Sequence, residues 1–197
     1  NFSWTSQLNL SANRNKVLKL YNGQPIDNLG RGSNRIEEGQ PIGIFYSYRS
    51  LGVNPSTGDI VFADTNNDGE ITSEDRTKVG NPNPKLIGGF TNNFTFKGFD
   101  ASVFMQFSYG NDVFHGSRLF LESLQGGDNQ VEAVTRRWKK PGDITDIPRA
   151  TLDPVKATDN KRVSSRFIED GSYLRLKNVT IGYTFNRKLL ERFSMTN

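Results

Sequence analysis

The segment DTNNDGEITSED, from Asp64 to Asp75, carries side chains whose types and spacing could bind a metal ion. Ca²⁺ prefers six to eight oxygen ligands, which a short loop can supply when carboxylates and amides alternate along the chain. Asp64, Asn66 and Asp68 stand at the first three ligand positions of such a loop, and Gly69 allows the sharp bend that follows them. The segment therefore predicts an EF-hand-like calcium loop.

The later ligand positions of this loop depart further from the pattern. Glu70 would offer its backbone carbonyl oxygen, and the last position, normally a bidentate Glu, is the shorter Asp75. We therefore expect a structural calcium ion bound by residues of one short segment, which are Asp64, Asn66, Asp68, Glu70 and Asp75. An ordinary surface turn is the alternative, because Asn, Asp and Gly also favour turns for conformational reasons.

The composition of the chain excludes several other functions. The 197 residues contain no cysteine, which excludes disulfides and thiolate metal sites. His115 is the single histidine, so a zinc site is not expected. The net charge of +4 is modest and the basic residues are scattered, so we expect no nucleic-acid partner. Neither a Ser-His-Asp pattern nor a phosphate-binding loop is present, and we expect no enzymatic activity.

Residues on both sides of the acidic loop alternate between apolar and polar types, which predicts β-strands with two unlike faces. The strongest case is LIGGFTNNFTFKGFDASVFMQFSY, in which two alternating runs meet at Lys97-Gly98 and predict a β-hairpin. The polar positions carry mainly amides and hydroxyls rather than the Lys and Glu of a solvated surface. We predict about five long strands, at 2–12, 42–52, 86–97, 99–109 and 172–185.

The lengths of these strands favour a membrane barrel. About 10 residues span a membrane in a tilted strand, whereas a globular strand usually has about five or six. A shift in the apolar phase predicts a β-bulge near Lys177-Asn178. Long polar connections, such as 110–171, alternate with the short turn at Lys97-Gly98, an asymmetry typical of outer-membrane barrels with long extracellular loops.

Four phrases in a fixed order resemble one protein family. They are PIGIFYSYRSLGV, DTNNDGEITSEDR, VGNPNPKLIGGFTNNFTFKGFDASVFMQFSYGNDVF and EDGSYLRLKNVTIGYTF. This set is similar to the C-terminal part of the SusC/RagA-type TonB-dependent outer-membrane receptors of Bacteroidota, and the likeness extends over most of residues 1–197. The resemblance implies an all-β fold, with this chain forming part of a large antiparallel transmembrane β-barrel that is 22-stranded in the family.

The resemblance also implies an activity and partners. The activity would be TonB-dependent uptake of a large nutrient, an oligosaccharide or a peptide, across the outer membrane. A SusD-like surface lipoprotein would close over the barrel mouth, membrane lipid would surround the barrel, and TonB would act through an N-terminal plug. The plug and the remaining strands are absent from this sequence, so we expect a piece of a larger polypeptide whose other barrel segments complete the sheet edges.

A soluble calcium-stabilised β-sandwich, such as a carbohydrate-binding or adhesin module, is the alternative from a different class. In a sandwich the apolar strand faces would fill a core, whereas in a barrel they would face lipid. The strand lengths and the largely uncharged polar faces favour the barrel. Outside the strands, we expect short helical segments at 129–140 and 186–193.

Overall fold

The computed structural model describes residues 1–27, 33–124, 129–186 and 190. The strands of the described residues are, in chain order, β1 (Phe2–Ser11), β2 (Ile26–Asp27), β3 (Asn34–Ile36), β4 (Ile44–Ser47), β5 (Ser50–Val53), β6 (Ile60–Phe62), β7 (Thr77–Gly80), β8 (Leu86–Phe96), β9 (Phe99–Tyr109), β10 (Asp112–Phe114), β11 (Ile168–Asp170) and β12 (Tyr173–Tyr183). The α-helices are α1 (Arg118–Leu121) and α2 (Pro154–Asn160).

The chain divides into two compact units. The sheet unit consists of Asn1–Asn13, Pro84–Gly110 and Gly171–Asn197. The loop unit consists of Arg14–Asn83 and Asn111–Asp170. Each segment of the loop unit therefore connects two strands of the sheet unit in sequence.

The sheet unit is one four-stranded antiparallel sheet in the order β1-β8-β9-β12. Lys97 and Gly98 close the β8–β9 hairpin with φ angles of 47° and 87°. Positive φ at both central residues is the requirement of a tight two-residue turn that matches the twist of the strands. The register of β12 against β9 shifts between Leu176 and Asn178, where the bulge was predicted. The hairpin, the strand at 2–12 and the strand at 172–185 are thus confirmed.

The fifth predicted strand, at 42–52, is wrong as a single long strand. This stretch forms β4 and β5, which lie in different small sheets of the loop unit. The register between β4 and β7 shifts at Phe45, so the adjacent Ile44 and Phe45 are both buried, which an unbroken two-faced strand would not allow. The chain then leaves β4 at Tyr48, whose carbonyl oxygen accepts a hydrogen bond from the Ser165 N–H at 2.9 Å. The described residues therefore contain four strands of 10 or 11 residues.

The loop unit contains a four-stranded sheet, β2-β3-β4-β7, and the two-stranded pairs β5-β6 and β10-β11. Its core is small and apolar, and comprises Ile44, Phe45, Ile60, Phe62, Ile147 and Phe167. Contacts between distant parts of the sequence stabilise the loop unit. For example, the Ser47 hydroxyl donates a hydrogen bond to the Val163 carbonyl oxygen at 2.6 Å. Described residues of the polar segment 111–170 therefore contact residues of 44–62 within the loop unit.

The helical predictions are only partly met. The segment predicted at 129–140 contains a single 3₁₀ helix at Glu132–Arg136. The turn predicted at 186–193 falls outside the described residues, apart from Asn186 and Leu190. Within the part of the chain that the structure describes, no helix is both long and apolar enough to span a membrane.

Candidate functional site

One face of the four-stranded sheet, the apolar face, carries apolar and aromatic side chains in cross-strand rows. One row runs through Phe2, Phe96, Phe99 and Tyr183 across all four strands. The other members include Trp4, Leu8, Leu10, Phe90, Phe94, Ala101, Val103, Met105, Phe107, Leu174, Leu176, Val179 and Ile181. Many remain exposed in this chain, including Trp4 at 62% and Ile181 at 75%. A soluble sandwich would bury such a face in its core, so the exposure argues against that alternative.

A polar cluster interrupts the apolar face in the middle of β1 and β8. The Asn92 Oδ1 atom accepts hydrogen bonds from Trp4 Nε1 at 3.0 Å and from Ser6 Oγ at 2.5 Å. The indole ring of Trp4 also stacks on Phe94, with a centroid distance of 6.1 Å. Because an unsatisfied buried amide is costly, these two donors account for the buried position of Asn92.

The opposite face, the polar face, carries mainly hydroxyl and amide side chains. Cross-strand rows on this face include Gln7 opposite Thr91, and Asn9 opposite Gly89, which in turn lies opposite Gln106. Phe104 and Ile87 are large apolar residues on this face. The Phe104 ring covers Gly89 so closely that a Cβ atom there would lie 2.9 Å from the ring. This division into one apolar and one polar face is the property that a barrel wall requires.

In the acidic loop, Asp64 organises the backbone of the residues that follow it. Its Oδ1 atom accepts from the Asn67 N–H at 2.7 Å, and its Oδ2 atom accepts from the Gly69 N–H at 2.8 Å. Asn66 Nδ2 donates to Asp68 Oδ2 at 2.8 Å. Asn67 and Gly69 have positive φ angles of 60° and 85°, so the chain bends sharply where the pattern predicts. The loop thus brings Asp64, Asn66 and Asp68 together.

Asp75, the last predicted ligand, lies buried at the base of the loop. Its Oδ1 atom accepts from the Thr65 N–H at 2.7 Å, and its Oδ2 atom accepts from the Thr72 N–H at 2.8 Å. Hydrogen bonds from the Thr72 and Thr65 backbone lower the pKa of Asp75, so the carboxylate is held in its charged form. Thr72 in turn caps a 3₁₀ helix at Ser73–Asp75. These hydrogen bonds therefore join the two ends of the loop.

The calcium site stays a prediction. Within the described ranges, no three acidic or histidine side chains form a group that could hold a metal ion. The Glu70 side chain is exposed, and that residue was predicted to contribute only its backbone oxygen. Each carboxylate oxygen has two lone pairs, so the hydrogen bonds to Asp64 and Asp75 leave acceptor capacity for a cation. The oxygen-rich donor set is of the type that Ca²⁺ takes.

The comparisons with known proteins cover nearly the whole chain. No family model matches it. The chain is 34% identical over 211 residues to TonB-dependent receptor P3 of Formosa agariphila, covering 96% of this chain and 20% of that protein. It is 26% identical over 206 residues to TonB-dependent receptor SusC of Bacteroides thetaiotaomicron, covering 93% of this chain and 19% of the relative.

A solved structure shares the fold. The structure of the RagAB peptide transporter aligns with a TM-score of 0.80 at 21% identity, covering 95% of this chain and 21% of that chain. The sequence relatives indicate the family, and the structural neighbour shows the fold. This chain belongs to the TonB-dependent receptors of the SusC/RagA type. It spans about a fifth of the length of the receptors that it matches.

Membership of the TonB-dependent receptors assigns the two faces of the sheet. These receptors are outer-membrane β-barrel proteins, in which an apolar face of the wall corresponds to the lipid side and a polar face to the lumen side. Aromatic side chains gather near the hairpin end of the apolar face, where the Phe99 and Tyr183 rings lie 4.4 Å apart and the Tyr183 and Phe185 rings 4.9 Å apart. Such groups mark the interfacial girdle of a membrane barrel.

The loop unit of this receptor segment contains an ionic cluster that the sequence analysis did not predict. Glu122 is buried and accepts from Arg118 Nε at 2.7 Å and from Arg166 Nη2 at 2.5 Å. The Arg166 guanidinium lies 4.9 Å from the centroid of the Phe167 ring, and burial lowers the pKa of Arg166. Only the Arg118–Glu122 spacing of four residues was visible locally, because Arg166 is distant in sequence. His115, the lone histidine, lies 3.5 Å from Glu169 at the edge of this cluster.

Proposed function

We propose that this chain forms part of the barrel wall and outer loops of a receptor that imports a large nutrient across the outer membrane. The nutrient would be an oligosaccharide or a peptide, and the import would depend on TonB. The two-faced sheet supports this proposal, since an apolar outer face and a polar inner face are the arrangement of an outer-membrane barrel. The relatives named as TonB-dependent receptors support it.

The rest of the machinery would lie outside this chain. Residues 1–197 would be a C-terminal portion of the barrel, and an N-terminal plug and the other strands would come from the remaining four-fifths of the receptor. TonB would act through that plug, and a SusD-like surface lipoprotein would close over the mouth. The tight turn at Lys97-Gly98 would face the periplasm, and 14–83 and 111–170 would be extracellular, in the outer membrane of a Bacteroidota cell.

Nutrient uptake by a strain that lacks the receptor tests this proposal. We expect the deletion strain to lose uptake of one defined oligosaccharide or peptide mixture, and plasmid-borne receptor to restore it. Collapse of the proton-motive force should abolish the restored uptake, whereas a passive pore would be unaffected. Uptake that survives the deletion, or that persists without energy, would contradict the proposed function.

We further propose that the acidic loop binds a structural Ca²⁺ ion through Asp64, Asn66, Asp68, the Glu70 backbone oxygen and Asp75. The hydrogen bonds that gather the first three residues support this assignment. The ion would stiffen an outer loop, with a dissociation constant on the order of 10⁻⁴–10⁻³ M, as in extracellular modules.

Calorimetric titration of the chelator-treated receptor tests the calcium proposal. We expect heat of binding at millimolar Ca²⁺ and a thermal midpoint that rises with Ca²⁺, because a ligand that binds only the folded state stabilises it. Asp68→Ala should remove both effects. Glu70→Gln changes an exposed side chain but keeps the backbone oxygen, so it should keep both. Absence of binding in the unaltered receptor would reject the site.

A further inference from the structure

A strip of positive charge follows β1 in the loop unit. Arg14, Lys16 and Lys19 lie within six residues of one another, and residues 1–26 contain no Asp or Glu. The three side chains are exposed, and within the described part of the chain none of them forms an ion pair. Other arginines of the loop unit lie against a carboxylate, as Arg35 and Arg149 do. The basic strip, residues 14–21, therefore carries charge that the described fold does not neutralise.

Two large apolar side chains project from the same strip. Leu18 is 84% exposed and Tyr21 is 91% exposed. The backbone beneath them is ordered, because the Val17 N–H donates to the Gln40 carbonyl oxygen at 2.9 Å and the Val17 carbonyl oxygen accepts from the Gly39 N–H at 2.8 Å. Side chains that a fixed backbone already holds in place lose less conformational freedom on binding. The basic strip thus suits a partner that has both an anionic part and an apolar part.

A neighbouring carboxylate does not cancel the charge of the basic strip. Glu38 Oε1 accepts a hydrogen bond from the Leu20 N–H at 2.7 Å, which brings one negative charge to the strip. The next carboxylate along the chain, that of Glu37, lies 3.6 Å from Arg35. Three cations against one carboxylate leave an excess of positive charge, and such an excess favours an anionic partner.

The basic strip begins close to the outer end of a membrane strand. Ser11 is the last residue of β1, and in the proposed orientation this end of β1 faces the outside. An extended chain advances by at most about 3.6 Å per residue, so Arg14 lies within about 11 Å of Ser11 and Lys16 within about 18 Å. The headgroup layer of a membrane begins where the hydrocarbon-spanning part of a strand ends. Cations combined with exposed aliphatic and aromatic side chains are the composition of segments that bind anionic lipid surfaces.

We infer that the basic strip binds the phosphate group of an outer-leaflet lipid. Arg14, Lys16 and Lys19 would face the phosphate, and Leu18 and Tyr21 would contact the apolar part of the same lipid. A free phosphate ion would meet only the charges, whereas a lipid also accounts for the two exposed apolar side chains. The inference goes beyond nutrient import and rests on the proposed orientation of the barrel. Such a contact would hold the start of the long connection after β1 at the membrane surface.

The test measures lipid binding to the whole receptor in detergent by native mass spectrometry. The two probes differ only in phosphate, since one is lipid A and the other is the same lipid after enzymatic removal of its phosphate groups. We expect affinity for lipid A to be higher by about tenfold or more, because three cations face the phosphate. The triple variant Arg14→Gln/Lys16→Gln/Lys19→Gln should lose this preference. The double variant Leu18→Ser/Tyr21→Ser should weaken the binding of both lipids.

A matched control separates the basic strip from the overall charge of the receptor. Lys139→Gln/Lys140→Gln/Lys156→Gln removes the same charge from exposed lysines elsewhere in the loop unit, and it should keep the preference for lipid A. Equal losses in the two triple variants would overturn the inference. Equal affinity of the unaltered receptor for the two lipids, or displacement of lipid A by millimolar inorganic phosphate, would overturn it as well. Energy-dependent uptake that persists alongside any of these results would leave the proposed import function in place.

Discussion

At the scale of single residues, Asp75 shows how a carboxylate joins the two ends of the acidic loop through backbone hydrogen bonds. Its two oxygens accept the Thr65 and Thr72 N–H groups, and these bonds lower its pKa from the ordinary value of 3.8. A carboxylate with a lowered folded-state pKa contributes stability that is fully present above the unfolded pKa. That contribution is lost as the pH falls through the folded-state pKa.

We therefore expect Asp75→Asn to lower the thermal midpoint at neutral pH, because an amide nitrogen would then face an N–H donor. In acid, protonation of Asp75 weakens the same hydrogen bonds in the unaltered protein. The difference in thermal midpoint between the two proteins should therefore shrink below about pH 4. Thermal unfolding in the presence of chelator, from about pH 7 to about pH 2.5, measures this. Glu70→Gln, an equal charge change on an exposed side chain, should have little effect. A difference in thermal midpoint that stays constant with pH would contradict the role of the charged Asp75 carboxylate.

Glu122 is the second residue for which a substitution has a clear consequence. It is the common acceptor for Arg118 and Arg166, and the Arg166 side chain is only 8% exposed. Glu122→Ala would leave these arginines close together with their shared counter-charge removed. We expect a loss of about 3 kcal/mol in the free energy of unfolding of the loop unit, typical of a broken buried ion pair.

Hydrogen exchange of the backbone amides in β11 and in α1 would measure the loss caused by Glu122→Ala. Glu132→Ala serves as the control, because that carboxylate is exposed at the start of a 3₁₀ helix. Exchange rates in β11 and α1 that match those of the unaltered protein would mean that the cluster contributes little to stability.

At the scale of elements, the tandem glycines of β8 show two kinds of close approach. A Cβ atom at Gly89 would meet the Phe104 side chain at 2.9 Å, whereas one at Gly88 would meet the Asn9 backbone oxygen at 2.5 Å. A side chain can be shortened or can move, but a paired backbone cannot without breaking the β1–β8 ladder. The two glycines should therefore respond differently to the same pair of substitutions.

We expect Gly89→Ala to lower the thermal midpoint of the receptor in detergent, and Phe104→Leu to restore part of the loss by removing the clashing ring. Gly88→Ala should also destabilise, but Phe107→Leu should not rescue it, because the Asn9 carbonyl oxygen still blocks the new methyl group. The two double-mutant cycles are the measurement. Equal rescue at both positions would mean that the backbone moves aside easily.

The alternation of residue types predicted the strands of the sheet unit correctly, because each strand has one apolar face and one polar face along its whole length. Even the bulge at Leu176/Asn178 was visible as a change of phase. The same alternation wrongly predicted one long strand at 42–52. There the buried positions are set by packing in a small core, and the register shifts at Phe45. Contacts such as Ser47–Val163 and Glu122–Arg166 join residues far apart in sequence, and no local pattern encodes them.

The candidate sites show the same limit. The loop pattern correctly placed the bend at Gly69 and gathered Asp64, Asn66 and Asp68, because those features depend on neighbouring residues. It did not reveal that Asp75 would be buried beneath the backbone N–H groups of Thr65 and Thr72.

At the scale of the whole molecule, the sheet unit has two open edges. β1 and β12 each pair with one neighbour, and among the described residues neither has a partner on its other side. An unpaired strand edge cannot face lipid, because its backbone N–H and C=O groups would find no hydrogen-bond partner there. In the complete receptor, other barrel strands should therefore pair with both edges.

Hydrogen exchange resolved to single residues tests this completion in the intact receptor. In an antiparallel pair only alternate N–H groups of β1 bond to β8, so the others point to the open edge. If a further strand pairs there, every amide within β1 and β12 should be protected as strongly as those of β8, which is the internal reference because it is paired on both sides. Rapid exchange at every second residue of β1, beside a protected β8, would contradict a closed barrel. The isolated chain of residues 1–197 should instead aggregate, because its two long edges remain free to pair with other copies.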